Sequence, residues 1–407
     1  MSLEPSPPDS PRVALVSGGL KLGGSTTFLV SLGGELVRRG IAAEVLSFEK
    51  ENPLASDFNR LKVPVFWQDD RRVIFEDRVR AVCEELRRFK PTVVVACLGG
   101  ISFEVLRYLP SGVYRAGLAQ SHDPGVYSML RRHAADVDLM AGVSRLVTET
   151  IQGLPEFAGA RVCYLPYGVP MPRETTRVTL DAGAPLRLLY LGRLEETQKR
   201  VRLFPRILDQ LKASRIPFHW TIAGEGPERR YLESVLKSST PDQSVRFTGP
   251  VLYEDVPALL TAHNVFLLAS DFEGLPLSLL EAMGRGLVPV VSDLASGIRD
   301  VVDESNGRRI APENVGGYAQ AIVWLHEHRE EMKRLSENSR ARVVREYSVE
   351  AMTDRWLQAV PAGPRRPAEW PAAFRIKAPF GARRWPRFSL PGRILSRWLI
   401  RWRSGGG

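Results

Sequence analysis

Asp271-Phe-Glu-Gly-Leu-Pro-Leu-Ser-Leu-Leu-Glu-Ala-Met-Gly-Arg-Gly286 decides how this chain is read. The apolar runs Val265–Ala269 before it and Val288–Ser292 after it each predict a buried strand, and the stretch between them predicts a helix. Pro276 suits the first turn of that helix, and Gly284 and Gly286 suit its end. Leu277, Leu279, Leu280, Ala282 and Met283 make it apolar almost all round, so it should be buried. Its one polar stripe is Ser278, Glu281 and Arg285, at helical spacing. A carboxylate in that setting is costly without a partner. The partner is either Arg285, one turn on, or a hydroxyl of a ligand. Glu273 stands just ahead of the helix, where unsatisfied N–H groups and the positive dipole end favour an anion. An anionic group there and a polyol beside Glu281 together describe a sugar nucleotide.

Working outward, the same alternation recurs. Val13–Ser17 reads as a buried strand, Gly18–Gly24 as a loop, and Ser25 as the cap of a helix carrying Phe28, Leu29, Leu32 and Leu36 on one face. Ile41–Ser47 is the next strand, which completes one unit of a parallel sheet. The loop lacks a G-x-G-x-x-G fingerprint, so a dinucleotide cofactor has no support; Gly19 and Gly24 have phosphate-loop spacing, but Ser25 stands where that motif needs lysine. Further on, a helix is expected from about Arg71 to Phe89, then Thr92–Cys97 as a strand, Ser102–Leu109 as a helix and Tyr114–Ala119 as a strand. His122 follows that last strand, at the carboxyl end where ligands of open parallel sheets collect. Asp123-Pro124 reads as an ordinary helix cap and first turn. Asp136-Val-Asp138 runs into the apolar strand Leu139–Val143 and reads as a junction, with no metal site.

The bulk properties narrow the class. With 407 residues, 44% of them hydrophobic, the chain can bury a large core and should form two domains. Its three cysteines, Cys83, Cys97 and Cys163, have no ligand spacing, which fits a reducing compartment. Met1–Pro11 has neither an apolar core nor a basic start, so no signal peptide is expected, and no apolar run is long enough to span a bilayer. The net charge of +10 belongs to a tail: residues 361–407 hold eleven Arg or Lys against one acid, Glu369. The remaining body balances at zero, which argues against nucleic acid as a partner.

The segment Glu273-Gly-Leu-Pro-Leu-Ser-Leu-Leu-Glu281-Ala-Met, followed by Gly286-Leu-Val-Pro-Val-Val, resembles the donor-site signature of family 4 glycosyltransferases. Those are retaining enzymes of the GT-B fold, an α/β architecture of two Rossmann-like domains facing across a cleft. The resemblance covers roughly residues 11–360 and is weakest from Ala43 to Gly112. It implies an N-terminal acceptor domain over 1–170, a linker over 171–185 and a donor-binding domain over 186–346. A crossover helix over 347–360 and a basic tail over 361–407 complete the expected order. It further implies that Arg193 and Lys199, in Gly192-Arg-Leu-Glu-Glu-Thr-Gln-Lys199, grip the diphosphate of a UDP- or GDP-hexose. Gly274, Leu275 and Pro276 would meet the phosphates and Glu281 the ribose, while Glu273 would contact the donor sugar. Gly23 and Gly24 would approach the phosphates or the acceptor, and His122 would lie near the new bond. One departure is Arg200, where many members have glycine.

The implied activity is metal-independent transfer of a hexose to a glycan or lipid-linked acceptor in polysaccharide or glycolipid synthesis. Rival readings are an epimerase or phosphorylase of the same fold, or a non-catalytic subunit binding a partner through its tail. Residues 361–391, rich in Pro and Arg, are expected not to pack a core. Arg393–Arg403 places Ile394, Leu395, Trp398 and Trp402 on one helical face and Arg393, Arg397 and Arg401 on another. Such a segment suits an anionic membrane surface, and with it a cytoplasmic protein peripheral on the inner face of the membrane.

Overall fold

A computed structural model describes residues 11–21, 23–50, 52–68, 74–172, 183–239, 244–362 and 368–377. Among the described residues, thirteen strands form two parallel sheets. The first uses β1 (Val13–Ser17), β2 (Ala43–Ser47), β3 (Val65–Trp67), β4 (Val93–Leu98), β5 (Tyr114–Ala119), β6 (Leu139–Gly142) and β7 (Arg161–Tyr164), ordered β3-β2-β1-β4-β5-β6-β7. The second uses β8 (Leu186–Leu191), β9 (Phe218–Ala223), β10 (Val245–Gly249), β11 (Val265–Leu268), β12 (Val288–Ser292) and β13 (Arg308–Ile310), ordered β10-β9-β8-β11-β12-β13. Both orders reverse direction beside their first strand, the point where such sheets open a crevice at their carboxyl ends. Most of the strands are short and rich in apolar residues because helices cover both faces.

The expected alternation holds over β1, β5, β8 and β12, whose bounds coincide with the sequence reading. The segment least legible in the sequence adds the short helix Ala55–Arg60 and the edge strand β3, both too brief for periodicity to register. The helix expected from Arg71 is described from Phe75 to Phe89. Asp123 caps the helix Pro124–Arg131 as expected, its Oδ1 accepting from Gly125 N at 2.7 Å. Ser25 does not cap: Gly23 occupies that position, and the Ser25 hydroxyl donates instead to Gln120 Oε1 at 2.7 Å. Asp136 pairs with Arg107, and Asp138 accepts the backbone N–H of Arg115, so both carboxylates serve the junction.

The chain crosses between the lobes twice, and the crossings touch. Val169 N donates to Tyr347 O at 2.9 Å, and Val349 N donates back to Val169 O at 3.1 Å. The helix Val349–Ala359 then packs on the helix Gly24–Arg38 of the first lobe, with Trp356 against Phe28. Most of the linker expected over 171–185 lies outside the described residues.

The tail corrects an expectation. Residues 368–377 do pack: Phe374 is 5% exposed and belongs to the apolar cluster that includes Val79, Val82 and Leu86 of the helix Phe75–Phe89. Arg87 donates to Pro371 O at 3.1 Å and lies over the Phe374 ring, and Tyr108 holds Lys377 N at 3.1 Å. Composition read this stretch as unable to form a core; it does not form one but completes one whose apolar face the first lobe already supplies. Phe374→Ala should therefore cost about 3 kcal/mol and lower the melting temperature by several degrees. An unchanged melting curve would refute the strap. Arg393–Arg403, the segment assigned to a membrane surface, lies outside the described residues. Among the described residues no helix is long and apolar enough to cross a membrane.

Candidate active site

The deciding segment forms what its pattern predicts, shifted by one residue. Leu277–Gly284 is the helix, with Pro276 as its N-cap (φ −70, ψ 117) and not yet in its first turn. Proline fixes φ at a value that either position accepts, so only the structure distinguishes them. Leu277, Leu279, Leu280, Ala282 and Met283 are buried, and Ser278, Glu281 and Arg285 alone keep an exposed edge. No side chain caps the start of this helix, so its first N–H groups face outward.

These N–H groups open into a cleft of about 470 Å³ between the lobes. The first lobe contributes Gly23, Gly24, Ser25, Gln120 and Ser121, and the second contributes Arg193, Gln198, Lys199, Glu273, Gly274, Leu275, Pro276 and Glu281. Thus nine of the ten residues marked by the sequence line one cavity. His122 is the exception: it is exposed, is absent from the lining, and its Nδ1 lies 2.8 Å from Tyr127 Oη. It borders the cavity only through its neighbour Ser121.

Glu273 sits at the centre. Its Oε1 accepts from Lys199 Nζ at 2.5 Å and from Ser270 Oγ at 2.7 Å, and its Oε2 accepts from Gln198 Nε2 at 3.3 Å. The Lys199 and Glu273 side chains are 12% and 6% exposed, so each charge depends on the other in a weakly screening setting. Gln198 also accepts from Arg193 Nη2 at 2.5 Å, which ties the two cation-bearing residues to the loop before the helix. Sequence reasoning missed Gln198, Ser270 and Gln120, since a lone polar residue has no periodic or charge signature. Gln120 Nε2 is buried with no partner, a donor left for a ligand.

Glu281 takes neither hydrogen bond nor ion pair from the described residues. Burial pushes its carboxyl up to about 7, and the Arg285 charge offsets this only in part. The Glu281–Arg285 pairing left open above is therefore an electrostatic influence without a contact, and the carboxylate faces the cleft. Two glycines explain the closeness of the lobes. A Cβ on Gly274 would come within 2.2 Å of Gln120 O, so any side chain there would push the lobes apart. Gly23, at φ +150, begins the helix Gly24–Arg38 in a conformation that favours glycine, and Gly24 approaches Leu277 of the other lobe. Arg200 is left-handed too (φ +50), and its guanidinium holds Asp271 at 3.4 Å and pairs with Glu313. A glycine would adopt that backbone without steric cost.

Residues 185–328 match the family described as "Glycosyl transferases group 1". The matched segment is about a third of the chain. The "Putative colanic acid biosynthesis glycosyltransferase WcaL" of Salmonella typhimurium is 29% identical over 64% of the chain and 66% of the relative. Its namesake in Escherichia coli is 30% identical over 58% of the chain and 61% of the relative. The alignments thus span about two thirds of those relatives' own lengths. The fold is GT-B, as in the solved structure of Staphylococcus aureus TarM (TM-score 0.71, 12% identity, 86% of this chain and 99% of that one). Anabaena Alr3699/HepE, solved with UDP and glucose, has a TM-score of 0.68 at 16% identity over 86% and 99%.

Proposed function

We propose that the protein transfers a hexose from a nucleotide diphosphate sugar, with retention, to a glycan or lipid-linked acceptor in cell-surface polysaccharide or glycolipid synthesis. One observation carries the reading: a single cleft is lined by two cations, an uncapped helix start and a carboxylate without a partner among the described residues. The diphosphate lies against the helix start, with Arg193 and Lys199 taking up the charge that grows as it leaves. Protein groups meet that charge, and no metal or other cofactor is assigned. Glu281 accepts hydrogen bonds from the ribose hydroxyls. Glu273, held by three donors, faces the sugar and supports an oxocarbenium-like centre; no side chain is assigned as nucleophile. Gly23 and Gly24 adjoin the phosphates, and Ser121 and His122 adjoin the acceptor side. Closure of the lobes excludes water and with it hydrolysis of the donor. Residues 393–403 hold the enzyme at an anionic membrane surface on the cytoplasmic side, where lipid-linked acceptors lie.

A thermal-shift panel of UDP- and GDP-hexoses tests the donor. Binding to the native state alone must raise the melting temperature by mass action, about 2.7 kcal/mol of stabilisation at a hundredfold excess over Kd. At least one sugar nucleotide should shift the transition. A panel with no shift overturns the reading.

A further inference from the structure

Outside the donor cleft, a second set of contacts joins the lobes. The helix Arg145–Gln152 follows β6 in the first lobe, and the helix Gly297–Val301 follows β12 in the second. Asp300 of the second helix accepts the backbone N–H of Arg145 through Oδ2 at 2.8 Å. Arg145 is the first residue of its helix, so this N–H has no partner within it, and the Ser144 cap already serves Val147. A carboxylate at a helix start also meets the positive dipole end. The side-chain ion pair adds little, because Arg145 Nε is 3.8 Å from Asp300 Oδ1 and its side chain is 69% exposed. Tyr164 of β7 and Tyr347 extend the junction: their hydroxyls lie 3.2 Å apart, and Tyr347 Oη donates to Asp300 O at 3.2 Å.

The other end of the same helix holds the donor loop. Gly297 N donates to Gly274 O at 2.7 Å, and a Cβ on Gly297 would stand 2.5 Å from that oxygen. Asp300 lies three residues on, about 4.5 Å along the axis. One short helix thus links Gly274, whose loop leads into the uncapped helix start, to the first lobe. Gly274 in turn lies against Gln120 O. The Asp300 side chain is only 8% exposed. Without the N–H of Arg145, closed lobes would bury its carboxylate with no donor among the described residues, and separation would return it to water.

We infer that Asp300 is a positioning residue: by capping the helix Arg145–Gln152 across the lobe boundary, it latches the lobes closed and sets Gly274 against Gln120. Its weight in turnover rests on the proposed function, in which closure excludes water from the donor. Losing one hydrogen bond to a charged group should lower the closed-to-open ratio about ten- to a hundredfold.

Small-angle scattering on the full chain, empty and with UDP or GDP, tests the latch. Arg145→Pro is the most selective variant. Proline is accepted at a first helical position, and Ser144, at φ −135 and ψ 161, already has the extended backbone that precedes proline. The substitution therefore deletes the interlobe donor and spares the helix. Arg145→Ala keeps that N–H and removes the guanidinium, so it should scatter like the wild type. Arg145→Pro and Asp300→Ala should both show a larger radius of gyration, and Asp300→Asn, which keeps an oxygen acceptor, a smaller increase. In the same order kcat for UDP- or GDP-hexose turnover should fall, by about tenfold or more at the extreme, while Kd for UDP and GDP stays within about threefold. Unchanged scattering in Arg145→Pro and Asp300→Ala would overturn the inference. So would an opening that Arg145→Ala shares, since the ion pair and not the cap would then hold the lobes. A lower melting temperature with native kcat in the folded protein would make Asp300 a structural contact only and overturn its positioning role. Opened variants beside a wild type that binds neither UDP nor GDP would overturn the donor reading and leave the latch standing.

Discussion

Lys199→Met is expected to slow release of nucleoside diphosphate from the donor sugar by about 10²–10³-fold and to lower the melting temperature as well. Two separate losses combine. A cation about 4 Å from a phosphate in partly screened surroundings is worth about 4 kcal/mol, and the leaving group needs it most as charge develops. The second loss falls on the empty enzyme. Glu273, 6% exposed, keeps Ser270 and Gln198 as donors but loses its counter-charge. Breaking a buried pair from one side costs about 3–5 kcal/mol. The double variant Lys199→Met/Glu273→Leu removes both charges, so it should regain most of the stability and none of the activity. Denaturant melts together with UDP and GDP titrations separate the two losses. A Lys199→Met protein with native melting and native nucleotide affinity would show that Lys199 faces neither Glu273 nor the phosphates in the working enzyme.

Glu281→Gln should have opposite effects on binding and on stability. A carboxylate can accept from both ribose hydroxyls, whereas an amide offers one acceptor and turns a donor toward the other. The expected loss is about 2–3 kcal/mol of nucleotide affinity, on the order of a hundredfold. The empty protein responds the other way. Burial raises the Glu281 carboxyl to about 7, so the folded state holds the proton more tightly than the unfolded state. The stability this contributes is complete below the unfolded value of 4.5 and is lost as pH rises through about 7. Glutamine has no proton to lose, so the variant should melt higher than the wild type at pH 8 and alike at pH 4.5. Ligand affinity in the wild type should rise from pH 6 to 8, because the ionised form accepts the hydroxyl protons, and that rise should vanish in the variant. A 2′-deoxyribose diphosphate should bind the wild type weakly and the variant no worse. Wild-type discrimination against the deoxy compound that persists unchanged in Glu281→Gln would place the ribose elsewhere.

Much of the fold was legible because parallel sheets bury their strands on both faces. Val13–Ser17, Tyr114–Ala119, Leu186–Leu191 and Val288–Ser292 are short, mainly apolar runs, broken only by Arg115 and Arg187 within them, and each became a strand with those bounds. The edge elements Ala55–Arg60 and Val65–Trp67 escaped, since six and three residues are too few to show a period. The same local logic placed the stripe Ser278, Glu281 and Arg285 on the one open edge of a buried helix, because helical spacing fixes which residues share a face.

What depended on the partner lobe could not be read this way. The sequence placed His122 at a strand end, but only the packed loop shows it bonded to Tyr127 and beside, not within, the lining of the cleft. Proline and arginine content argued that the segment after residue 361 packs nothing, yet Phe374 joins the core cluster that holds Val79, Val82 and Leu86, which lie nearly three hundred positions earlier. The sequence by itself determined the parallel-sheet strands, a buried helix and which residues share its polar stripe, since all three follow from neighbours within a few residues. The tertiary structure alone decided that Lys199 meets Glu273, that Gly274 lies against Gln120, and that Glu281 lines the cleft with no partner among the described residues. Those are contacts between segments 74 or more residues apart, and no local spacing encodes which buried charge finds its counter-ion and which is left for a ligand.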